Sequence, residues 1–218
     1  MSSYFEITVA GEDFYLHPYR TIYWPSRKTL IVADLHLGKI QHFIRAGIPL
    51  PEHASMDNFE RLSSALLEFA PSRLLILGDL FHSEYNSAWR IFSDLRQTFK
   101  SLQFDLIWGN HDSLAIDLYE KNDITIFSEL IDGPFHFTHY PVDNSSYYNV
   151  AGHLHPGVRI FGESKQSLKL PCFYFSETQA VLPAFGTFTG IYILNPSSTD
   201  RVVVIGADHL IEVTHERA

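Results

Sequence analysis

The chain has 218 residues, 45% of them hydrophobic, and a formal net charge of −9 at pH 7. That length allows one sizeable hydrophobic core, and the acidic balance argues against a nucleic-acid coat protein or a protein that binds anionic membranes. A single cysteine, Cys172, excludes an internal disulfide and a thiolate metal cluster. The sequence has no apolar stretch of about 18 residues, and its start lacks the basic and apolar regions of a signal peptide. We therefore expect a cytoplasmic protein with no membrane partner.

The N-terminal half predicts strands that alternate with helices. Residues 4–24 alternate between apolar and polar side chains and predict two or three strands, with a turn at Gly11. Apolar runs that predict buried strands follow at 29–34, 73–79 and 104–112. Between them, apolar residues recur at helical spacing and predict helices at 52–70 and 85–102. This repeat favours parallel strands joined by crossover helices.

After about residue 123 the pattern changes to short strands without a helical period. This region predicts a mostly antiparallel sheet. No linker, repeat or low-complexity segment separates it from the first half. We expect a single domain over residues 1–218 of the α/β class (α+β by its strand mixture), with two sheets packed together and helices outside.

Polar residues follow each of the three predicted buried strands. Asp34 and His36 follow the first, Asp79 the second, and Asn110 with His111 the third. Side chains at i and i+2 of a strand point the same way, so Asp34 and His36 are aimed together. The carboxyl ends of parallel strands meet at one edge of a sheet, where ligands of open α/β sheets bind. The sequence therefore predicts a shared site at this edge.

Two histidines in "GHLH", His153 and His155, have the same i, i+2 spacing. Composition alone produces an H-x-H about 0.7 times in such a chain, whereas "GNHD" at 109–112 is expected on the order of once in a thousand chains. Taken singly, Asp79 or Asp112 can also be read as a helix or turn cap. A functional site is indicated by the motifs taken together, because they occur in a fixed order and each follows an apolar run.

The ordered pattern D-x-H, GD, GNHD, H and GHxH resembles the calcineurin-like metallophosphoesterase superfamily. This resemblance implies a four-layer αββα sandwich of two packed mixed β-sheets flanked by helices, and a pair of divalent metal ions. By position it implies that the first ion is held by Asp34, His36, Asp79 and His155. It implies that Asp79 bridges to the second ion, whose other ligands are Asn110, His139 and His153.

The resemblance also implies two catalytic residues that are not metal ligands. His111 corresponds to the histidine beside the scissile phosphate, and Asp112 to its orienting partner. The segment "HFTHYP" offers two histidines for one ligand position. We favour His139 because it precedes "YP" at a predicted strand end, and His136 stays open as the alternative.

The implied ligands determine the net charge of the site and restrict which metals suit it. Two divalent ions carry four positive charges and the two aspartates among the ligands two negative ones, so the site attracts phosphate although the chain is acidic. Imidazole and carboxylate ligands without thiolate suit Mn²⁺, iron or zinc better than calcium or magnesium. We expect two divalent ions, with Mn²⁺ as the first choice and iron or zinc as alternatives.

The stretches "ADLHLGK", "FIRAGIPLP" and "GHLHPGVRI" are similar to the ligase-associated DNA-damage-response phosphoesterases, the PdeM family. This similarity implies a phosphodiesterase or nuclease that acts on DNA ends, short single strands or nucleotide diesters, and partners in DNA repair. Lys39 and Arg45 become candidate phosphate contacts, with ordinary surface charge as the alternative reading. A phosphomonoesterase, a hydrolase of another small phosphodiester and a non-catalytic metal-binding scaffold stay open.

Five basic residues surround the first motif of this acidic chain: Arg20, Arg27, Lys28, Lys39 and Arg45. Each phosphate that a protein neutralises requires a basic side chain. So few of them predict a small footprint on nucleic acid rather than contact with a long duplex.

Overall fold

The computed structural model of the protein describes residues 4–40, 53–82, 87–143, 146–161 and 166–213. The first sheet contains β1 (Phe5–Val9), β2 (Glu12–His17), β3 (Thr21–Trp24), β4 (Thr29–Val32), β5 (Arg73–Leu77), β6 (Gln103–Ile107) and β7 (Ile124–Phe127). The second sheet contains β8 (Leu130–Asp132), β9 (Phe135–Thr138), β10 (Tyr148–Ala151), β11 (Pro156–Phe161), β12 (Ser167–Phe175), β13 (Gln179–Val181), β14 (Tyr192–Ile193), β15 (Arg201–Ile205) and β16 (Leu210–Val213). The helices are α1 (His53–Phe69), α2 (Ser87–Thr98) and α3 (Ile116–Glu120), and a 3₁₀ turn covers Pro25–Arg27.

The first sheet runs in chain order from β1 to β7. Strands β1 to β4 pair antiparallel, and β4 to β7 pair parallel, with α1 and α2 as crossovers. In the register, Val32 lies opposite Ile76 and Ile76 opposite Leu106. The ends of β4, β5 and β6 are therefore level, and the polar residues that follow these strands meet at one edge.

The second sheet is mixed, in the order β14-β11-β12-β13-β10-β9-β8, with β15 paired to β12 and β16 to β15. Strand β10 pairs parallel with β9 and β13, and β11 pairs parallel with β14. The remaining pairs are antiparallel, in keeping with the mostly antiparallel sheet expected from this half of the sequence.

The two sheets pack face to face through aromatic side chains. The Phe14 and Phe135 rings lie 4.8 Å apart between centroids, and the Trp24 and Phe135 rings lie 5.0 Å apart. On the opposite face of the first sheet, Val32 and Ile76 belong to a buried cluster that also contains α1 and α2 residues. The predicted fold class, two packed mixed sheets flanked by helices, is confirmed.

The two crossover helices lie where helical spacing predicted them. The second ends at Thr98 rather than at residue 102, and the first carbonyls beyond Thr98 accept from a side chain. The Arg96 guanidinium donates to the carbonyls of Phe99 (3.1 Å) and Lys100 (3.3 Å), which satisfies groups that a helix end leaves open. No helix within the described ranges has the length and apolar character needed to span a membrane.

Candidate metal centre

The backbone that follows β4 and β5 brings the first candidate ligands together. The two segments stay side by side after the strands end: the Asp34 amide donates to the Gly78 carbonyl (3.2 Å) and the His36 amide to the Asp79 carbonyl (2.9 Å). Asp34, His36 and Asp79 all have left-handed backbone, with φ of 53°, 46° and 53°. Non-glycine residues rarely adopt this conformation, and such strain concentrates at functional sites.

This geometry differs from the simple strand alternation that we expected. Strand β4 ends at Val32, so Asp34 and His36 converge through left-handed turns instead of through the pleat of a strand. His153 and His155 do the same, with φ of 64° and 51°.

The first ligand group consists of Asp34, His36 and His155, whose candidate ligand atoms lie within 4.8 Å of one another. Asp34 Oδ2 accepts a hydrogen bond from the His153 amide (2.8 Å), while Oδ1 lies 3.5 Å from His155 Nε2. His155 Nδ1 lies 3.2 Å from the Gly190 carbonyl oxygen. Because a carbonyl only accepts, Nδ1 carries the proton and the Nε2 lone pair of a neutral ring faces Asp34.

The second ligand group consists of Asp79, His139 and His153, with the same 4.8 Å limit. His139 Nδ1 donates to the Leu77 carbonyl (2.9 Å), so Nε2 of the neutral ring carries a lone pair. This Nε2 faces Asn110 Oδ1 at 3.0 Å, His153 Nδ1 at 3.2 Å and Asp79 Oδ1 at 3.6 Å. A cation placed among these atoms would contact all of them.

The Asp79 carboxylate lies between the two groups. Its Oδ2 is 3.7 Å from His36 Nε2 in the first group, and its Oδ1 is 3.6 Å from His139 Nε2 in the second. Because its two oxygens face different groups, this one side chain can bind both ions of a pair.

The buried atoms of the site fit a pair of divalent cations. Among the residues that the structure describes, Asp34 Oδ1 and both ring nitrogens of His36 are buried without a hydrogen-bond partner. Burial lowers the pKa of His36 to about 2, so its imidazole is neutral and free to bind a cation. A buried carboxylate oxygen with no partner costs free energy that a bound cation offsets. Imidazole and carboxylate donors together, with no thiolate, match a divalent transition metal.

The calcineurin-like phosphoesterase family profile matches residues 27–200 of the sequence, and this range includes every residue of both ligand groups. The chain belongs to the calcineurin-like phosphoesterase family. It is accordingly a metal-dependent phosphoesterase, a hydrolase of phosphoric ester bonds.

Three solved structures are similar to the chain, and the first of them supports this assignment. Pseudomonas putida nuclease MPE is 32% identical to the phosphoesterase, with a TM-score of 0.80, and the alignment covers 96% of this chain and 100% of that one. The E. coli phosphoesterase Yfce is 13% identical, with a TM-score of 0.41, and the alignment covers 87% of this chain and 94% of that one. A predicted phosphoesterase from Streptococcus pneumoniae TIGR4 is 11% identical, with a TM-score of 0.34 and coverage of 87% and 90%. A search of curated proteins finds no match.

Asp112 of the phosphoesterase binds backbone amides. Its Oδ2 accepts from the amides of Asp79 (2.9 Å) and Gly109 (3.0 Å), and its Oδ1 from those of Leu80 (2.9 Å) and Phe81 (3.3 Å). Burial raises the pKa of this carboxyl to about 7, while the amide hydrogen bonds act in the opposite direction. The side chain thus ties the segment after β5 to the segment after β6. Its predicted role as the orienting partner of His111 stays a prediction.

His111 lies beside the ligand groups without belonging to either. Its amide donates to Asp79 Oδ1 (2.9 Å), and its exposed ring lies 5.3 Å from the His36 ring between centroids. The His82 ring, which has no place in the predicted ligand set, lies 4.8 Å from the His111 ring.

The structure separates the two histidines of "HFTHYP". His139 is buried in the second ligand group, whereas His136 Nε2 lies 3.1 Å from the Glu129 carboxylate. Strand β9 ends at Thr138, so His139 is the first residue beyond it, and His136 lies within the strand.

The predicted phosphate contacts have different surroundings. Lys39 is half-buried, and burial lowers its pKa while the Asp79 and Asp34 carboxylates act in the opposite direction. Arg45 lies outside the described residues. Arg20 turns inward and donates through Nη1 to the carbonyls of Ala184 (2.9 Å) and Gly186 (3.1 Å).

Residues 184–190, here called the support loop, are a part of the site that the sequence analysis missed. The Phe185 and Gly186 amides donate to the carbonyls of Ala33 (2.8 Å) and Asp34 (3.0 Å). The same loop provides the Gly190 carbonyl that fixes the His155 tautomer. No motif marks the loop in the sequence, because its contribution comes from backbone groups.

Proposed function

We propose that this phosphoesterase is a two-metal phosphodiesterase that cleaves nucleic acid or nucleotide diesters, with DNA ends, short single strands or nucleotide diesters as its substrate. The observation that carries the proposal is the Asp79 carboxylate, whose two oxygens face two separate ligand groups. The similarity to a nuclease at 32% identity over 96% of the chain supports a diester substrate.

In this proposal each ion has its own ligands and shares Asp79. The first would be held by Asp34, His36, Asp79 and His155, and the second by Asp79, Asn110, His139 and His153. Bound divalent ions of this kind polarise the phosphoryl oxygens and provide a nucleophile at neutral pH. We favour Mn²⁺ because the donors are imidazole, carboxylate and amide oxygen.

The backbone carbonyls orient two of the histidine ligands. Leu77 accepts from Nδ1 of His139, and Gly190 accepts from Nδ1 of His155. Each ring is thereby fixed in the tautomer whose Nε2 lone pair faces inward, and such hydrogen bonds raise the basicity of an imidazole ligand. These contacts act before any substrate arrives.

His111 is the proposed proton donor. Its ring is exposed next to His36 and outside both ligand groups, so it is free to approach a bound phosphate. In this position the imidazolium donates a hydrogen bond or a proton to the leaving oxygen. Lys39 and Arg45 are the proposed contacts to the phosphate itself.

The charges of the described residues support a small substrate footprint. Of the basic residues near the first motif, Arg20 donates to loop carbonyls, and Arg27 Nε lies 3.5 Å from Asp132 Oδ1. Fewer side chains are therefore left for phosphates, and the salt dependence of binding should correspond to about two to four phosphates. The resemblance to ligase-associated DNA-damage-response phosphoesterases supports a role in DNA repair, and the cytoplasmic location stays a prediction.

Metal content and hydrolysis measured on the same preparations test the proposal. The wild type should bind two ions and hydrolyse bis-p-nitrophenyl phosphate and short single-stranded DNA in Mn²⁺. Asp79→Asn should lose both ions, and His155→Ala mainly one. Asp117→Asn, an exposed aspartate on α3, is the matched control and should keep both.

Three results contradict the proposal. Hydrolysis of monoesters without diesters would make the protein a phosphomonoesterase. Full metal content without hydrolysis of any phosphate ester would make it a scaffold. A salt dependence equivalent to about ten phosphates would indicate an extended nucleic-acid surface.

A further inference from the structure

Two exposed aromatic side chains lie beside the two ligand groups. Tyr140 is 48% exposed, and its ring centroid lies 4.2 Å from that of His153 and 4.8 Å from that of His139. Phe188 is 45% exposed and lines a cavity of about 60 Å³ together with His155 and Arg20. One aromatic ring is thus placed next to each group.

The support loop holds Phe188 in a position that a phenylalanine rarely adopts. Its φ of 61° is left-handed, a conformation that is unfavourable for a bulky side chain. Hydrogen bonds to Ala33, Asp34 and Arg20 fix the start of the loop. Two further hydrogen bonds hold its centre. Arg61 Nη2 donates to the Phe185 carbonyl (2.7 Å), and the Thr187 amide donates to Asn58 Oδ1 (3.3 Å). These bonds hold the loop backbone directly before Phe188 in place, which lowers the ordering cost of binding a ligand through the ring.

Tyr140 is fixed by its neighbours in the chain. It directly follows the ligand residue His139, and its carbonyl accepts a hydrogen bond from Thr138 Oγ1 (2.6 Å). Its ring packs against the imidazoles of the second group and leaves about half of its surface to solvent.

We propose that Phe188 and Tyr140 each stack on a nucleobase, on opposite sides of the phosphodiester that is cleaved. This inference rests on the proposed function, because an internucleotide phosphodiester carries one nucleoside on each side of the phosphate. Stacking on an aromatic side chain tightens binding by about 5- to 150-fold per base and tolerates any base sequence.

Stacking also fits the charge of the chain. The net charge is −9, Arg20 donates to loop carbonyls, and the exposed Arg27 is paired with Asp132, so phosphate contacts alone supply little affinity for nucleic acid. An aromatic contact does not depend on charge, so it compensates for the scarcity of cations.

The test compares two single-stranded oligonucleotides of equal length, one with normal bases and one abasic throughout. The measured quantity is the base preference, the ratio of kcat/KM for the normal to the abasic strand, together with metal content. The wild type should prefer the normal strand. Phe188→Gly and Tyr140→Ala should each lower the base preference by about 5-fold or more and keep both ions. Glycine is chosen at 188 because it tolerates left-handed backbone, so this variant folds without added strain.

Conservative variants and a distant aromatic provide the controls. Phe188→Trp and Tyr140→Phe keep a ring and should retain the base preference. Phe161→Ala removes a ring that is 65% exposed, six residues along the chain from His155 and about 20 Å away at strand spacing. It should leave the base preference unchanged.

Distinct outcomes would overturn the inference. Cleavage of both strands by the wild type without a base preference would refute stacking and leave the proposed function intact. Equal losses on both strands in the Phe188 and Tyr140 variants would show that the two rings only support the fold. Cleavage of neither strand by the wild type would refute the inference, and it would refute the proposed function as well if bis-p-nitrophenyl phosphate and nucleotide diesters also stay intact.

Discussion

A methyl group added at Gly109 should displace the carboxylate that the two ligand groups share. The Cβ of Gly109→Ala would lie 2.3 Å from both the amide nitrogen and Oδ1 of Asp79, where ordinary contacts begin at 3.4 Å. Asp79 must therefore move by about 1 Å, yet Asp112 holds its amide in a 2.9 Å hydrogen bond.

The magnitude follows from this forced movement. Overpacking of a buried site costs about 1–3 kcal/mol, which for a chain of this length lowers the Tm by about 2–12 °C. A displacement of about 1 Å in a reacting geometry lowers turnover by about 100-fold. Because Asp79 faces both groups, Gly109→Ala should lose both ions.

The assay measures metal per chain by mass spectrometry after equilibration with excess Mn²⁺ and desalting, together with Tm in EDTA. Gly78→Ala is the informative contrast, because its Cβ would lie 2.1 Å from His139 Nδ1, in the second group alone. That variant should lose mainly one ion. Gly190→Ala meets no atom within 4 Å and should keep both. Two ions and normal turnover in Gly109→Ala would refute the reasoning.

Three further predictions concern single side chains. His111→Ala should keep its metal and lower kcat by about 10²- to 10⁴-fold, since it removes a proton donor and no ligand; loss of metal would make His111 a ligand instead. In EDTA, burial keeps the pKa of folded His36 at about 2 against 6.5 in the unfolded chain, so the unfolded state binds the extra proton below about pH 6.5. The free energy of unfolding should then fall by up to about 1.4 kcal/mol per pH unit between about pH 6 and 4, and chemical denaturation of His36→Gln should lack that contribution. Lys39→Ala should raise KM for short DNA while both ions are retained. Lys121, an exposed lysine directly after α3, is the control, and Lys121→Ala should leave KM unchanged. Equal effects of the two substitutions would show that Lys39 does not belong to the site.

The sequence by itself determined the elements and the order of the motifs. Apolar runs and helical spacing are local signals, so strands β4 and β5 and helix α1 were predicted within two residues of their observed bounds, whereas β6 ends at Ile107, before the predicted end at residue 112. The parallel arrangement follows from the strand–helix repeat, and it places Asp34, Asp79 and Asn110 at one edge before any coordinate is known. The end of α2 was placed too late, because the apolar spacing of the helix continues past Thr98 to Phe99 and Leu102.

Only the tertiary structure decided how the site is held. Three sets of hydrogen-bond contacts join residues that lie far apart in the chain, and no periodicity in the sequence encodes them. They run from the Asp34 amide to the Gly78 carbonyl, from the His155 ring to the Gly190 carbonyl, and from Arg20 to the support loop. The left-handed backbone at the candidate ligands likewise departs from the strand pattern that the sequence predicts, because long-range hydrogen bonds impose it against local preference. The direction of each lone pair, and with it the separation of the candidate ligands into two groups around Asp79, therefore emerges only when the two sheets pack.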